Sequence, residues 1–189
     1  PSQTKNSRAG ISFLFVDPPS PPGFVAFRHA HGGFGEMCRA SRLKTPTLDL
    51  FHAASLILER GGKAGVLESV LNGDGPRECV SKILARRHST AVFRTASGSL
   101  PSDLSVAELL KSSGFAGRIV FYGPQAAIEA ERLLASPAVD AALAGAEAAP
   151  FLRAFREGNF DRVPGAAVKR GGRIFRNAPA PRPEDLDAL

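Results

Sequence analysis

The feature that most constrains this chain is a repeated alternation. Short apolar runs, each four to seven residues long, take turns with longer amphipathic stretches. Ile11 to Val16 is a mostly apolar run rich in β-formers, which suits a strand buried on both faces. Ala64 to Val70, Thr90 to Arg94, Arg118 to Tyr122 and Val139 to Ala144 are further strand candidates. Between them lie helical patterns. Thr47 is placed to cap a helix that carries Leu50, Ala54 and Leu58 and stops at Gly61-Gly62. Further helices are expected over 75–87, 102–113, 126–135 and 150–157. Five β-α units in sequence predict an α/β fold: a flavodoxin-like, Rossmann-like, doubly wound parallel sheet of five strands in the order 2-1-3-4-5. The period then changes. Ala166 to Lys169 and Arg173 to Phe175 flank Arg170-Gly171-Gly172, the signature of a C-terminal β-hairpin.

Composition closes off several classes of function. Two cysteines, Cys38 and Cys79, are too few for a four-cysteine zinc site or an iron–sulfur cluster. They fit the reduced thiols of a cytoplasmic protein. No stretch reaches the length and apolarity of a membrane helix. A formal charge of +6 permits phosphate binding, but the charge is scattered and the chain has one Tyr and no Trp for stacking bases. Neither nucleic acid nor membrane is therefore expected as a partner.

In a doubly wound sheet the ligand sits beyond the carboxyl ends of the strands. The loops there are Asp17 to Gly35, Thr95 to Leu100, Gly123 to Ala126 and Gly145 to Ala148. All are rich in small residues, Gly or Pro, and poor in catalytic side chains. Glycine lets backbone approach a bulky ligand closely, although for any one turn it also simply shapes the chain. Thr95, Ser97 and Ser99 offer hydroxyls, either to a heterocycle edge or to the cap of the next helix. Gly32-Gly33-Phe34-Gly35 lies inside a long loop, so it lacks the strand-to-helix context of a dinucleotide fingerprint. Asp17 stands without the acidic neighbours of a receiver domain. His29 and His31 have only Glu36 near them in sequence, too little for a protein metal site. No catalytic set of Ser, His and Asp or of Cys and His emerges.

In order and spacing these segments resemble the cobalamin-binding domain of B12-dependent radical-SAM enzymes of the methyltransferase type. The resemblance rests on Asp17-Pro18-Pro19-Ser20-Pro21-Pro22-Gly23 after the first strand, and on Pro46, Leu48, Asp49 and Leu50 at the first helix. It continues in Tyr122-Gly123-Pro124-Gln125-Ala126, Val139-Asp140 and Gly145-Ala146-Glu147-Ala148. It ends with Val163-Pro164-Gly165, Asn177-Ala178-Pro179 and Glu184-Asp185-Leu186-Asp187. There are departures. Tyr122 stands where the family has the first Gly of a pair, and Gln125 where it has His. The B12 domains of mutases and methionine synthases place a cobalt-ligating His in Asp-x-His-x-x-Gly; that slot holds Pro19, and Pro22 replaces the Gly.

The resemblance implies cobalamin, as methylcobalamin, bound base-off without a histidine from that slot and with no protein metal ligand. It implies cofactor contacts from Asp17, Pro19, Ser20, Pro21, Gly33, Phe34, Gly35, Thr95, Ser97, Ser99, Leu100, Gly123, Pro124, Gln125, Gly145 and Glu147. The dimethylbenzimidazole tail would run among strands one, three and four, near Thr95 to Ser99 and Gly123. Residues 1–10 are expected as a tag-like start, 11–162 as the cobalamin-binding domain, and 163–189 as hairpin and linker to a radical-SAM catalytic domain of the same parent chain. The cysteine triad of that domain is absent from this sequence. The expectation is thus a fragment inactive alone, whose parent also uses S-adenosylmethionine and a 4Fe-4S cluster. A stand-alone cobalamin sensor or carrier, and a flavodoxin-like nucleotide-binding module, are the alternatives.

Overall fold

A computed structural model describes residues 11–39, 42–144 and 149–179. The strands are β1 (Phe13–Asp17), β2 (Phe24–Phe27), β3 (Glu36–Arg39), β4 (Ala64–Glu68), β5 (Thr90–Arg94), β6 (Arg118–Tyr122), β7 (Ala141–Leu143), β8 (Ala166–Arg170) and β9 (Arg173–Arg176). The helices are α1 (Leu48–Glu59), α2 (Ser69–Asn72), α3 (Pro76–Arg86), α4 (Leu100–Ser112), α5 (Pro124–Ile128), α6 (Ala130–Ala135) and α7 (Ala149–Glu157). Seven strands form one sheet in the order β4-β1-β5-β6-β7-β8-β9. The first five are parallel, and their order is the expected 2-1-3-4-5. The C-terminal hairpin extends this sheet by two antiparallel strands rather than standing apart. Its turn places Gly171 and Gly172 at φ +53° and +77°, a conformation in which a side chain is strained.

The apolar runs lack alternation because both faces of the sheet are covered. Phe13 and Phe15 of β1 face α1 and α7, in a cluster with Leu50, Ile57, Val92, Tyr122 and Phe151. Leu14 and Val16 point the other way, toward α3, α4 and α6, with Phe93, Phe121, Ile83, Leu110 and Leu133. The first of these layers is aromatic. Phe151 meets Phe15 and Tyr122 edge-on at centroid distances of 5.0 and 5.3 Å. β9 ends the sheet, with Ile174 and Phe175 exposed between Arg173 and Arg176.

Several local expectations need correction. The second parallel strand stops at Glu68, and 69–72 turn into a short helix. The helix expected over 126–135 starts at Pro124 and is two helices, broken at Glu129. Thr47 occupies the N-cap of α1 but makes no side-chain cap; its N–H goes to Glu68 Oε1 at 3.0 Å. The largest difference is in the stretch expected as a Pro- and Gly-rich loop, 18–46. It contains a second, two-stranded sheet in which β2 pairs antiparallel with β3. Each strand has only four residues and the connection between them is long, so no short-turn signal marks the hairpin in the sequence.

Candidate functional site

The β2–β3 hairpin folds over the carboxyl end of the parallel sheet, and two buried arginines fix it there. Arg28, directly after β2, is fully buried. Its Nη1 donates to Asp17 Oδ1 at 2.7 Å and to the Pro18 carbonyl at 2.8 Å. Its Nη2 donates to Asp103 Oδ1 at 2.6 Å and to the Pro19 carbonyl at 3.2 Å. Its Nε reaches Ser99 Oγ and Asp103 Oδ2 at 3.2 and 3.3 Å. The hydroxyls of Thr95 and Ser99 also donate to Asp103 Oδ2, at 2.8 and 2.7 Å. Burial opposes the charge on Arg28, but Asp103 and Asp17 more than offset it and hold the guanidinium protonated.

Arg94, at the end of β5, is the second anchor and is also fully buried. Its Nε donates to Asp49 Oδ2 at 2.9 Å, and its Nη1 to the Thr95 carbonyl at 2.8 Å. Its Nη2 reaches the Gly33 carbonyl in the hairpin turn at 3.3 Å. The guanidinium lies 5.1 Å from the Tyr122 ring centroid, within cation–π range. Burial, followed by the charge of Asp49, keeps the Tyr122 phenol protonated. That hydroxyl and Asp49 Oδ1 are both buried, and neither closes a hydrogen bond.

The small residues of this edge are used by the chain itself. A Cβ on Gly123 (φ +122°) would lie 1.9 Å from Arg94 Nη1. One on Gly35 would lie 2.3 Å from the Ala96 Cβ, and one on Gly98 would lie 2.5 Å from Met37 Cγ. Ser97 N donates to the Phe34 carbonyl at 3.0 Å, tying the hairpin turn to the loop after β5.

The residues singled out in the sequence therefore fall into groups. Asp17, Pro19, Thr95 and Ser99 share the Arg28 network. Ser20 Oγ accepts from Ala26 N at 2.9 Å, and the Pro21 carbonyl accepts from Phe24 N at 3.1 Å; both shape the entry to β2. Leu100 is in the core, while Gly33, Gly35 and Gly123 make the close approaches. Phe34 and Ser97 are exposed, and Pro124 and Gln125 are half-buried. Gly145 and Glu147 lie outside the described residues. Sequence reasoning missed the roles of Arg28, Asp103 and Arg94. Arg94 sat in an otherwise apolar strand, where a charge implies a buried partner; Arg28 and Asp103 carried no such signal.

Among the described residues, this edge carries a cleft of about 490 Å³, lined by His29, Gly32, Gly33, Thr45, Pro46, Leu48, Asp49 and Arg94. His29 Nε2 lies 3.3 Å from the Thr45 hydroxyl. Leu43, Leu48 and Phe34 are exposed large apolar side chains of the flanking segments. Glu68, at the end of β4, has its carboxyl pushed up to about 7 by burial and by the charge of Asp17. Among the described residues, no three His, Cys, Asp or Glu side chains converge as a metal site requires. No helix among them is long and apolar enough to cross a membrane. Cys38 and Cys79 are free thiols, and burial pushes Cys79 up to about 11.

The fold is similar to that of several solved structures. The radical S-adenosylmethionine methyltransferase TsrM from Kitasatospora setae, with cobalamin and a 4Fe-4S cluster bound, superposes with a TM-score of 0.64 at 13% identity over 94% of this chain. The same enzyme with tryptophan substrate and a SAM analogue gives 0.63 at 13% identity over 89% of it. Apo OxsB, a cobalamin-dependent S-adenosylmethionine radical enzyme, gives 0.59 at 11% identity over 90% of it. These likenesses establish the fold. The chain spans 30% of the TsrM chain and 22% of the OxsB chain. No family of known proteins matches the sequence, and no curated protein does.

Proposed function

We propose that this chain binds cobalamin at the carboxyl edge of its parallel sheet, as the cofactor-holding module of a radical-SAM methyltransferase. The observation that carries the reading is the position of the open cleft: it lies at the strand ends where doubly wound sheets take ligands, on the fold shared with TsrM and OxsB. The chemistry of the edge fits the macrocycle. A corrin presents an apolar body rimmed by primary amides. Leu48 and the neighbouring Leu43 and Phe34 offer apolar surface. The Thr45 hydroxyl and the His29 imidazole, which also line the cleft, are polar groups suited to those amides.

The cobalt would take no histidine from the slot of Pro19, which is buried with its carbonyl bound to Arg28. Base-off binding is part of the proposal. Among the residues expected at the cofactor, Gly33 lines the cleft, and Phe34, Ser97, Pro124 and Gln125 have accessible surface. Asp17, Thr95 and Ser99 act one step back by holding Arg28 and with it the hairpin. In the parent enzyme methylcobalamin would supply the methyl group, and this chain would supply its binding, orientation and partial shielding from water.

The test is a titration with hydroxocobalamin, followed by visible absorbance and equilibrium dialysis. Saturable binding and a shifted cobalamin spectrum are expected. Absence of binding at high micromolar concentration, with the protein shown to be folded by circular dichroism, refutes the proposal.

A further inference from the structure

The nucleotide tail of cobalamin is a bulky heterocycle on a ribose phosphate, and a protein that recognises it needs a channel for it. Among the described residues three routes lead inward from the cleft, and the chain fills each one. The first runs between the sheet and α1 and α7. There Phe15, Tyr122 and Phe151 pack edge to face with at most 1% exposure, so this layer is already solid aromatic surface. The second runs over the ends of β5 and β6, where the Arg94 guanidinium occupies the space above Gly123. The third runs beneath the β2–β3 hairpin, where Met37 lies on Gly98, Ala96 lies against Gly35, and Arg28 spans Asp17 and Asp103. Opening any of them means breaking a packed aromatic contact or a buried ion pair. Protein interiors do not yield such volume without displacing whole side chains. The cleft formed by the described residues, about 490 Å³, lies within the range of about 300–1,000 Å³ that encloses a drug-sized ligand, and cobalamin is larger than that.

We infer that this site reads the corrin macrocycle and leaves the nucleotide tail outside the domain, so that it takes corrinoids regardless of their lower base. The inference rests on the proposed cobalamin binding and adds its specificity. Tyr122 is the residue that decides it in the first route. It projects into the layer between the sheet and α1 and α7, where a glycine would leave room.

The experiment compares hydroxocobalamin with aquacobinamide, the same macrocycle cut off before the nucleotide, on the unaltered protein. Dissociation constants are read by dialysis and absorbance. The two ligands are expected to bind within about threefold of each other. A large excess of α-ribazole, the free tail nucleoside, is expected to displace neither. Hydrogen exchange over Phe24–Arg39 is expected to respond alike to both ligands. Cobalamin binding about tenfold or more tighter than cobinamide overturns the inference while leaving the cobalamin reading intact. So does displacement by α-ribazole, or deprotection of the hairpin by cobalamin alone, which would mean that the tail enters beneath a lifted hairpin. If the folded protein binds neither corrinoid, the cobalamin reading fails and the inference falls with it.

Discussion

Replacing Arg28 by alanine is the sharpest test of how the sheet edge is built. The side chain is fully buried and makes six hydrogen bonds, to Asp17, Asp103, Ser99 and the carbonyls of Pro18 and Pro19. Its loss leaves two carboxylates facing each other without a cation, in a place water does not reach. Removing one partner of a buried ion pair costs about 3–5 kcal/mol. For a chain of this size that corresponds to a fall in Tm of roughly 6–20 °C. The deficit should depend on pH, and the sign follows from linkage. Burial already holds the Asp17 carboxyl above its usual range, and in the variant it rises further because the lowering charge and hydrogen bond of Arg28 are gone. The folded state then binds more protons than the unfolded one, and stability increases as pH falls. The gap between wild type and Arg28→Ala is therefore widest at neutral pH and narrows on acidification. Urea unfolding at a series of pH values measures it. Arg28→Met combined with Asp103→Leu should recover much of the loss, because it also removes the stranded charge at Asp103. A deficit below about 1 kcal/mol at pH 7, the scale of an exposed ion pair, would show that the Arg28 network does not hold the hairpin down.

Other outcomes follow from the same structure. Glu68→Gln should flatten the pH dependence of stability. With its folded pKa raised to about 7, Glu68 favours the fold when protonated, so wild-type stability declines as pH rises from about 5 to about 7 and then levels off. Gly123→Ala should cost well over 1 kcal/mol by chemical denaturation, since its Cβ meets Arg94 Nη1 at 1.9 Å; Gly75→Ala, with nothing within 4 Å and no positive φ, should cost less, about 1 kcal/mol or below, the scale of a poorer N-cap on α3. Phe151→Ala should cost about 3–5 kcal/mol, read as a shift of the urea midpoint, because it empties the centre of the aromatic layer. Leu48→Glu, at an exposed position on the cleft, should leave stability within about 0.5 kcal/mol and weaken hydroxocobalamin binding about tenfold; unchanged affinity would move the site elsewhere.

The layers of this fold were legible in the sequence because its strands are buried on both faces. A run such as Phe13 to Val16 has few alternatives once helical patterns lie on either side of it. The strand order followed from chain connectivity and handedness. The β2–β3 hairpin was not legible. Phe24 to Phe27 looks like any apolar patch in a loop rich in Pro and Gly, and its partner Glu36–Arg39 is a polar strand. What defines the hairpin is a contact 75 residues away in sequence, between Arg28 and Asp103. Glycines gave the opposite difficulty. Gly35 and Gly123 do sit at close approaches, but the approaching groups are the chain's own Ala96 and Arg94, and a sequence does not distinguish these from a ligand.

β9 has a consequence for how this protein behaves in solution. Its outer backbone has no strand beside it among the described residues, and its exposed Ile174 and Phe175 are the kind of side chains that invite another strand to pair. Arg173 and Arg176 bracket them. Two copies approaching edge to edge would bring these guanidiniums together, and their repulsion acts before any hydrogen bond forms. That protection is electrostatic, so it weakens as the Debye length shrinks from about 10 Å at 0.1 M salt to about 3 Å at 1 M. The protein should therefore self-associate more readily in concentrated salt than in dilute buffer, the reverse of a protein whose copies are held together by ion pairs.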